Sequence, residues 1–301
     1  MLYNANANVM RFGKKNQSMF IGKSNNAGDD IISETKLQYM GVGVYNLQDI
    51  LSGGVEDLFF ISGIHLPISA NLYNNNKSNA LSLMNLNNLS TDKTLKECLV
   101  FTTDVNLDRR INKEIVVAKD IVIVDSLEQE SKNLQIEGEL IYTTNNEKLY
   151  LENKFSFKAY SNSAFSNLRS DKSGYSIDYS LPKFILGNKL DIVYKKNGKT
   201  RKLKGDFQFS NLDQSMMVSR NTNSSLFVSD IVTQKFYTNN LSTSIYSSFI
   251  LKKGASQIEI EPGIQAKYKE YKSVLEPYID SMYCSLHLFS LLPYVNLNYQ
   301  Y

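Results

Sequence analysis

The sequence predicts a mainly β chain: antiparallel, hairpin-rich, arranged as a β-sandwich with minor short helices. Three observations predict it. The first is the hairpin Phe184–Phe209, with Asn197-Gly198 at its tip, the dipeptide that a two-residue type I′ turn favours because both central residues need positive φ. Counting outward from it sets Ile192 opposite Leu203 and Leu186 opposite Phe209, with Phe184, Leu190, Tyr194 and Phe207 on the same apolar side. On the other side Asp191 meets Lys204 and Lys189 meets Asp206, opposite-charge pairs worth roughly 0.2–1 kcal/mol each. A one-residue slip would exchange the two faces, so the register is well specified. This apolar face is expected to pack on a core. The second observation is a series of similar hairpin signals at the spacing typical of sandwiches and barrels. The third is the C-terminal alternation of Val295, Leu297, Tyr299 and Tyr301 with Asn296, Asn298 and Gln300.

In chain order, Met10-Arg11-Phe12-Gly13-Lys14 is echoed by Met19-Phe20-Ile21-Gly22-Lys23, which predicts two short strands or turns. Asn46 is a cap for a short helix through Leu51, closed by Gly53-Gly54, and Leu58–Ile61 reads as a buried strand. The Asn- and Ser-rich stretch 71–92 reads as a long loop. Glu114–Asp125 is rich in Val and Ile, as a buried strand requires. A second hairpin covers Leu134–Ala159. With Asn145-Asn146 at its tip, Tyr142 pairs with Leu149, Leu140 with Leu151 and Ile136 with Phe155, and Glu137 opposes Lys154. That register also sets Glu139 against Glu152, which is unfavourable. Residues 160–182 read as a connection between sheets. Short strands follow near Leu226–Val232 and Ile245–Leu251, and a third hairpin pairs Leu251 with Ile258 and Phe249 with Ile260 across Gly254. Ile264–Met282 carries a helical period interrupted by Pro277. These readings divide the chain into an N-terminal mixed region 1–95, an antiparallel β domain 96–215 and a C-terminal β-rich region 216–301.

Composition narrows the function classes. Net charge is +3, Trp is absent, and Tyr (19) and Phe (15) are plentiful. No global field calls for nucleic acid. Two cysteines, Cys98 and Cys284, make no disulfide framework. The opening MLYNANANVMRFGKK lacks the pattern of a secretory leader, and no apolar run reaches the ~20 residues of a helical span. The expectation is a soluble chain with a membrane disfavoured.

Motifs for chemistry are sparse. Gly22-Lys23-Ser24 has the end of a phosphate-binding loop, but Gln17 stands where that loop needs glycine. Cys284 and His287 have a usable metal spacing, with His65 and Cys98 as the remaining soft ligands. Neither motif supports a cofactor or metal, and no catalytic residues are assigned. Glu137 and Glu139 read as carboxylates on a solvated edge. The one concentrated charge is the hairpin tip, Lys195, Lys196, Lys199, Arg201, Lys202 and Lys204. Lysines there protect an exposed hairpin from edge pairing or dock on an acidic neighbour. The first five are taken as the candidate interface.

The segment FIGKSNN, Phe20–Asn26, resembles the opening of some tailed-bacteriophage virion and tail proteins. The resemblance implies a non-enzymatic virion subunit of tail, neck or baseplate, made in the host cytoplasm. Its partners would be further copies of itself and other virion proteins, in symmetric contacts, with no small-molecule substrate. A soluble carbohydrate- or cell-surface-binding sandwich is the alternative. An outer-membrane β-barrel, suggested by the alternating, aromatic-ended C-terminus, is the second alternative.

Overall fold

The computed structural model describes residues 2–26, 76–116, 121–170, 173–196, 199–221, 231–253, 256–276 and 282–300. They form eleven strands: β1 (Asn4–Phe12), β2 (Asn16–Asn25), β3 (Asn76–Ser90), β4 (Lys93–Val116), β5 (Ile121–Asn145), β6 (Leu149–Ser170), β7 (Ser173–Lys196), β8 (Lys199–Asn221), β9 (Ile231–Lys253), β10 (Ser256–Glu276) and β11 (Met282–Gln300). Each pairs antiparallel with the next, giving one sheet in the order β1 to β11.

The mainly β, antiparallel expectation stands, but the two-layer sandwich does not: the described residues make a single sheet. They include no helix either. Ile264–Met282 is strand through Glu276, paired with β9 and β11. Its outward residues Ile264, Ala266 and Tyr268 satisfy a period of two as well as the helical one. The expected helix at Asn46–Leu51 and strand at Leu58–Ile61 lie outside the described residues. Pairing runs unbroken past residue 95, inside β4, and past residue 215, inside β8.

Three polar or ambiguous stretches are corrected. The expected loop 71–92 contains β3, and the expected connection 160–182 is the far ends of β6 and β7. Asn and Ser disfavour strands only weakly when neighbouring strands on both sides complete their backbone hydrogen bonds. The single strand expected over Glu114–Asp125 is instead split between β4 and β5, with Val116 opposite Ile121.

Register follows the sequence where the turn chemistry is unambiguous. The Phe184–Phe209 pairs occur as counted, as do Leu251–Ile258 and Phe249–Ile260. Met10 pairs with Met19 across the N-terminal echo. The Leu134–Ala159 hairpin is displaced by four residues. Tyr142 faces Asn153, Leu140 faces Phe155 and Ile136 faces Ala159. The cause is an Asx turn: Asn146 Oδ1 accepts from the Lys148 and Leu149 amides at 3.1 and 2.8 Å, so the tip is 146–148. This shift also removes the Glu139–Glu152 clash, because Glu139 now faces Ser156.

The decisive feature is which face is enclosed. From β3 to β10 the larger apolar row points to the exposed side, as with Leu99 (42% exposed), Leu140 (41%), Phe207 and Ile245. The opposite face is enclosed and mostly polar, with Gln214 and Ser156 at 0% and Glu139 at 4%, apart from an apolar cluster of Met19, Met84, Cys98 and Val100 toward β2. One sheet without a covering layer encloses one face by curving, so its concave side is the polar one. The expectation that the apolar side of Phe184–Phe209 packs on a core is therefore inverted.

A Cβ on Gly263 would stand 2.6 Å from Tyr294 Cζ and 2.7 Å from Tyr246 Cβ, whereas one on Gly205 meets nothing nearer than 3.9 Å. Gly263→Val is expected to cost about 1–3 kcal/mol through overpacking, while Gly205→Ala changes little. Urea unfolding midpoints would distinguish the two.

Candidate functional site

The outward apolar residues are concentrated in the part of each strand nearest the connections 13–15, 91–92, 146–148, 197–198 and 254–255, with single ones such as Leu107, Phe165, Met217 and Ile231 farther along. In β7 they run from Phe184 to Tyr194, about the 9–11 residues that a tilted strand needs to cross a bilayer. Beyond this belt the outward positions turn polar, at Glu128, Glu130 and Lys132 in β5, Asp178 and Ser180 in β7, and Glu270 and Lys272 in β10. Ion pairs sort the same way. Lys132–Glu130 at 2.9 Å, Lys272–Glu270 at 2.6 Å and Lys235–Glu276 at 3.3 Å lie outward beyond the belt. Inward lie Lys154–Glu139 at 3.1 Å, Lys158–Glu137 at 2.8 Å, Lys202–Glu259 at 3.0 Å and Lys189–Asp206 at 4.0 Å.

This inner wall is the candidate site. Glu137 and Glu139, expected on a solvated edge, are buried in it. Lys158 Nζ stands 2.8 Å from Glu137 Oε1 and Lys154 Nζ 3.1 Å from Glu139 Oε2. Across β8–β10 the wall holds a polar depression of about 380 Å³ lined by Asp206, Gln208, Ser242, Ser244, Lys267 and Lys269, among others. Hydroxyls, amides and ammonium groups of this kind can hydrogen-bond water or a polar solute. Carboxyl groups outside the belt respond to local donors. The Ser90 hydroxyl donates to Asp92 at 2.6 Å and holds that carboxyl below its usual range. The Lys272 ammonium, with Asn239 Nδ2 at 2.9 Å, does the same to Glu270.

The residues expected to carry chemistry are dispersed. Lys195, Lys196, Lys199, Arg201 and Lys202 flank one short connection, but alternation splits them. Lys202 points inward to Glu259, and Lys204 lies over the Tyr246 ring, whereas Arg201 points outward and Lys195 is exposed. Gly22-Lys23-Ser24 is extended strand, paired on both sides, not a phosphate-wrapping loop. Cys284 and His287, three apart on β11, project from opposite faces and cannot share a metal. His65 lies outside the described residues. Sequence reasoning missed the inner wall. The available signal was the pair Glu137 and Glu139 on one strand against Lys154 and Lys158 on the same face of the next.

No protein-family model and no curated protein matches the sequence. Solved structures do match. The unliganded ferric citrate transporter FecA aligns over 99% of this chain and 39% of its own, with a TM-score of 0.51 and 9% identity. The ferric-catecholate import receptor Fiu from E. coli K12 aligns over 99% of this chain and 49% of its own, with a TM-score of 0.45 and 7% identity. The alcaligin outer membrane receptor FauA from Bordetella pertussis aligns over 99% and 40%, with a TM-score of 0.35 and 10% identity. The chain thus spans less than half the length of these proteins. The FecA likeness is one of fold. With the exposed apolar belt, it overturns the virion expectation in function, location and partners, and the view that a membrane is disfavoured. FIGKSNN, which carried the phage resemblance, is largely β2.

Proposed function

We propose that the chain forms part of the wall of an outer-membrane β-barrel, with its apolar belt in lipid and its polar face lining a lumen that solutes enter. The single observation that carries this is the inversion of faces from β3 to β10: a belt of apolar residues outward, and an inner wall that is mostly polar and charged. Connection lengths support an orientation. Those at the belt end are two or three residues long, whereas the other end includes 222–230 and 26–75. Bacterial outer-membrane barrels keep short turns on the periplasmic side and long loops outside. The likeness to the ferric citrate transporter FecA supports a role in solute uptake.

The absence of Trp from the chain makes a direct test available. Phe207→Trp and Gln208→Trp, made separately and reconstituted in vesicles with brominated acyl chains, put the reporter on adjacent residues of opposite faces. The expected result is strong quenching at 207 and little at 208. Equal quenching at both, or none at either, would remove the lipid-facing belt and the proposal with it.

A further inference from the structure

The sheet has two free edges, and their directions say what completes it. β1 and β11 each have one neighbour among the described residues. In an antiparallel series of eleven, the first and last strands run the same way. Both lie at belt height: β1 carries Ala5, Ala7 and Val9 outward, and β11 carries Phe289, Leu291 and Val295. An open edge in hydrocarbon leaves alternate peptide N–H and C=O groups unsatisfied, with no water there to take their place. Both edges must therefore be paired.

Three closures are available, and parity separates them. Direct pairing of β1 with β11 would be parallel. A second copy inserted the same way up would place its β1 beside the first copy's β11, again parallel, and would create two such seams. Connections within the chain change nothing, because one that starts and ends at the same end of the sheet adds an even number of crossings. Only an odd number of additional strands makes both seams antiparallel and the total even, as in bacterial single-chain barrels.

Resting on the barrel reading above, we infer that an odd number of further transmembrane strands, from polypeptide outside residues 1–301, sits between β11 and β1. Those strands carry the same alternation, apolar outward and polar inward. Where they flank β11, their inward side covers Leu286, Leu288 and Leu292, which are about half exposed and face inward on that edge.

The test is electron cryo-microscopy of the protein extracted in detergent from the membranes in which it is made, counting strands and tracing the two seams. The expected result is an even count in which β1 and β11 each adjoin an antiparallel strand that is none of the eleven. A ring of eleven with β1 parallel to β11 would overturn the inference, as would two copies joined by two parallel seams. Either outcome would leave the barrel reading intact. Failure of that reading looks different: the protein is recovered without detergent, and its indole probes do not sense lipid.

Discussion

Leu140→Arg is expected to destabilise the folded protein in a bilayer by roughly 2–4 kcal/mol, the cost of a guanidinium near the midplane on the lipid face of a barrel. Leu140 lies within the outward row Leu134–Tyr142, beside Phe155 of β6. The closed backbone ladder holds the arginine in place, so it can only bend toward an interface. Gln208→Arg makes a comparable change on the inner face and is expected to shift stability by no more than about 0.5 kcal/mol. Urea titration of both variants in lipid vesicles measures the contrast. A core-facing apolar row would also penalise Leu140→Arg, but only a lipid-facing one gives a cost that falls as the substitution moves along the strand toward Tyr142 and the interface.

The second large effect is expected at the inner ion pairs. Lys158→Met removes the cation 2.8 Å from Glu137 and leaves a carboxylate on an enclosed wall. Breaking a buried pair from one side typically costs about 3–5 kcal/mol, whereas replacing both partners with apolar groups is close to neutral. The single variant should therefore be much less stable than the double variant Lys158→Met with Glu137→Leu. The double-mutant cycle isolates the coupling. A single variant as stable as the parent would mean that Glu137 is hydrated from the lumen, and the wall there would be wet rather than packed.

The sequence made strands and turns legible more readily than it made sides. The Asn197-Gly198 and Gly254 hairpins could be registered by counting, because their turns have a fixed length. Asn145-Asn146 has no fixed geometry: its second Asn opens an Asx turn, and the count fails by four. The like-charge clash of Glu139 with Glu152 was the physical warning. The outward row could not be assigned a direction, because alternation marks two faces without saying which meets water. Leu186, Ile192, Leu203 and Phe209 would serve a sandwich core and a lipid belt equally well. What distinguishes these is the company of the other face: Glu137, Glu139, Lys154 and Lys158 crowd on adjacent strands, as a freely solvated surface has no reason to arrange. The lysine tip was legible as a cluster in sequence. The split of Lys202 from Arg201 became visible only once the strand had two sides of different character.

The strands are far longer than the belt they carry. β5 has 25 residues, roughly 80 Å of extended chain. Tilted by about 40°, it stands some 60 Å tall against an apolar band about 25 Å high. The remainder, around 35 Å, is paired sheet that rises like a chimney clear of the hydrocarbon. In the barrel proposed above, a solute arriving from outside first meets this stiff, hydrogen-bonded rim with its Ser, Asn and charged side chains, and its selection begins well above the membrane surface.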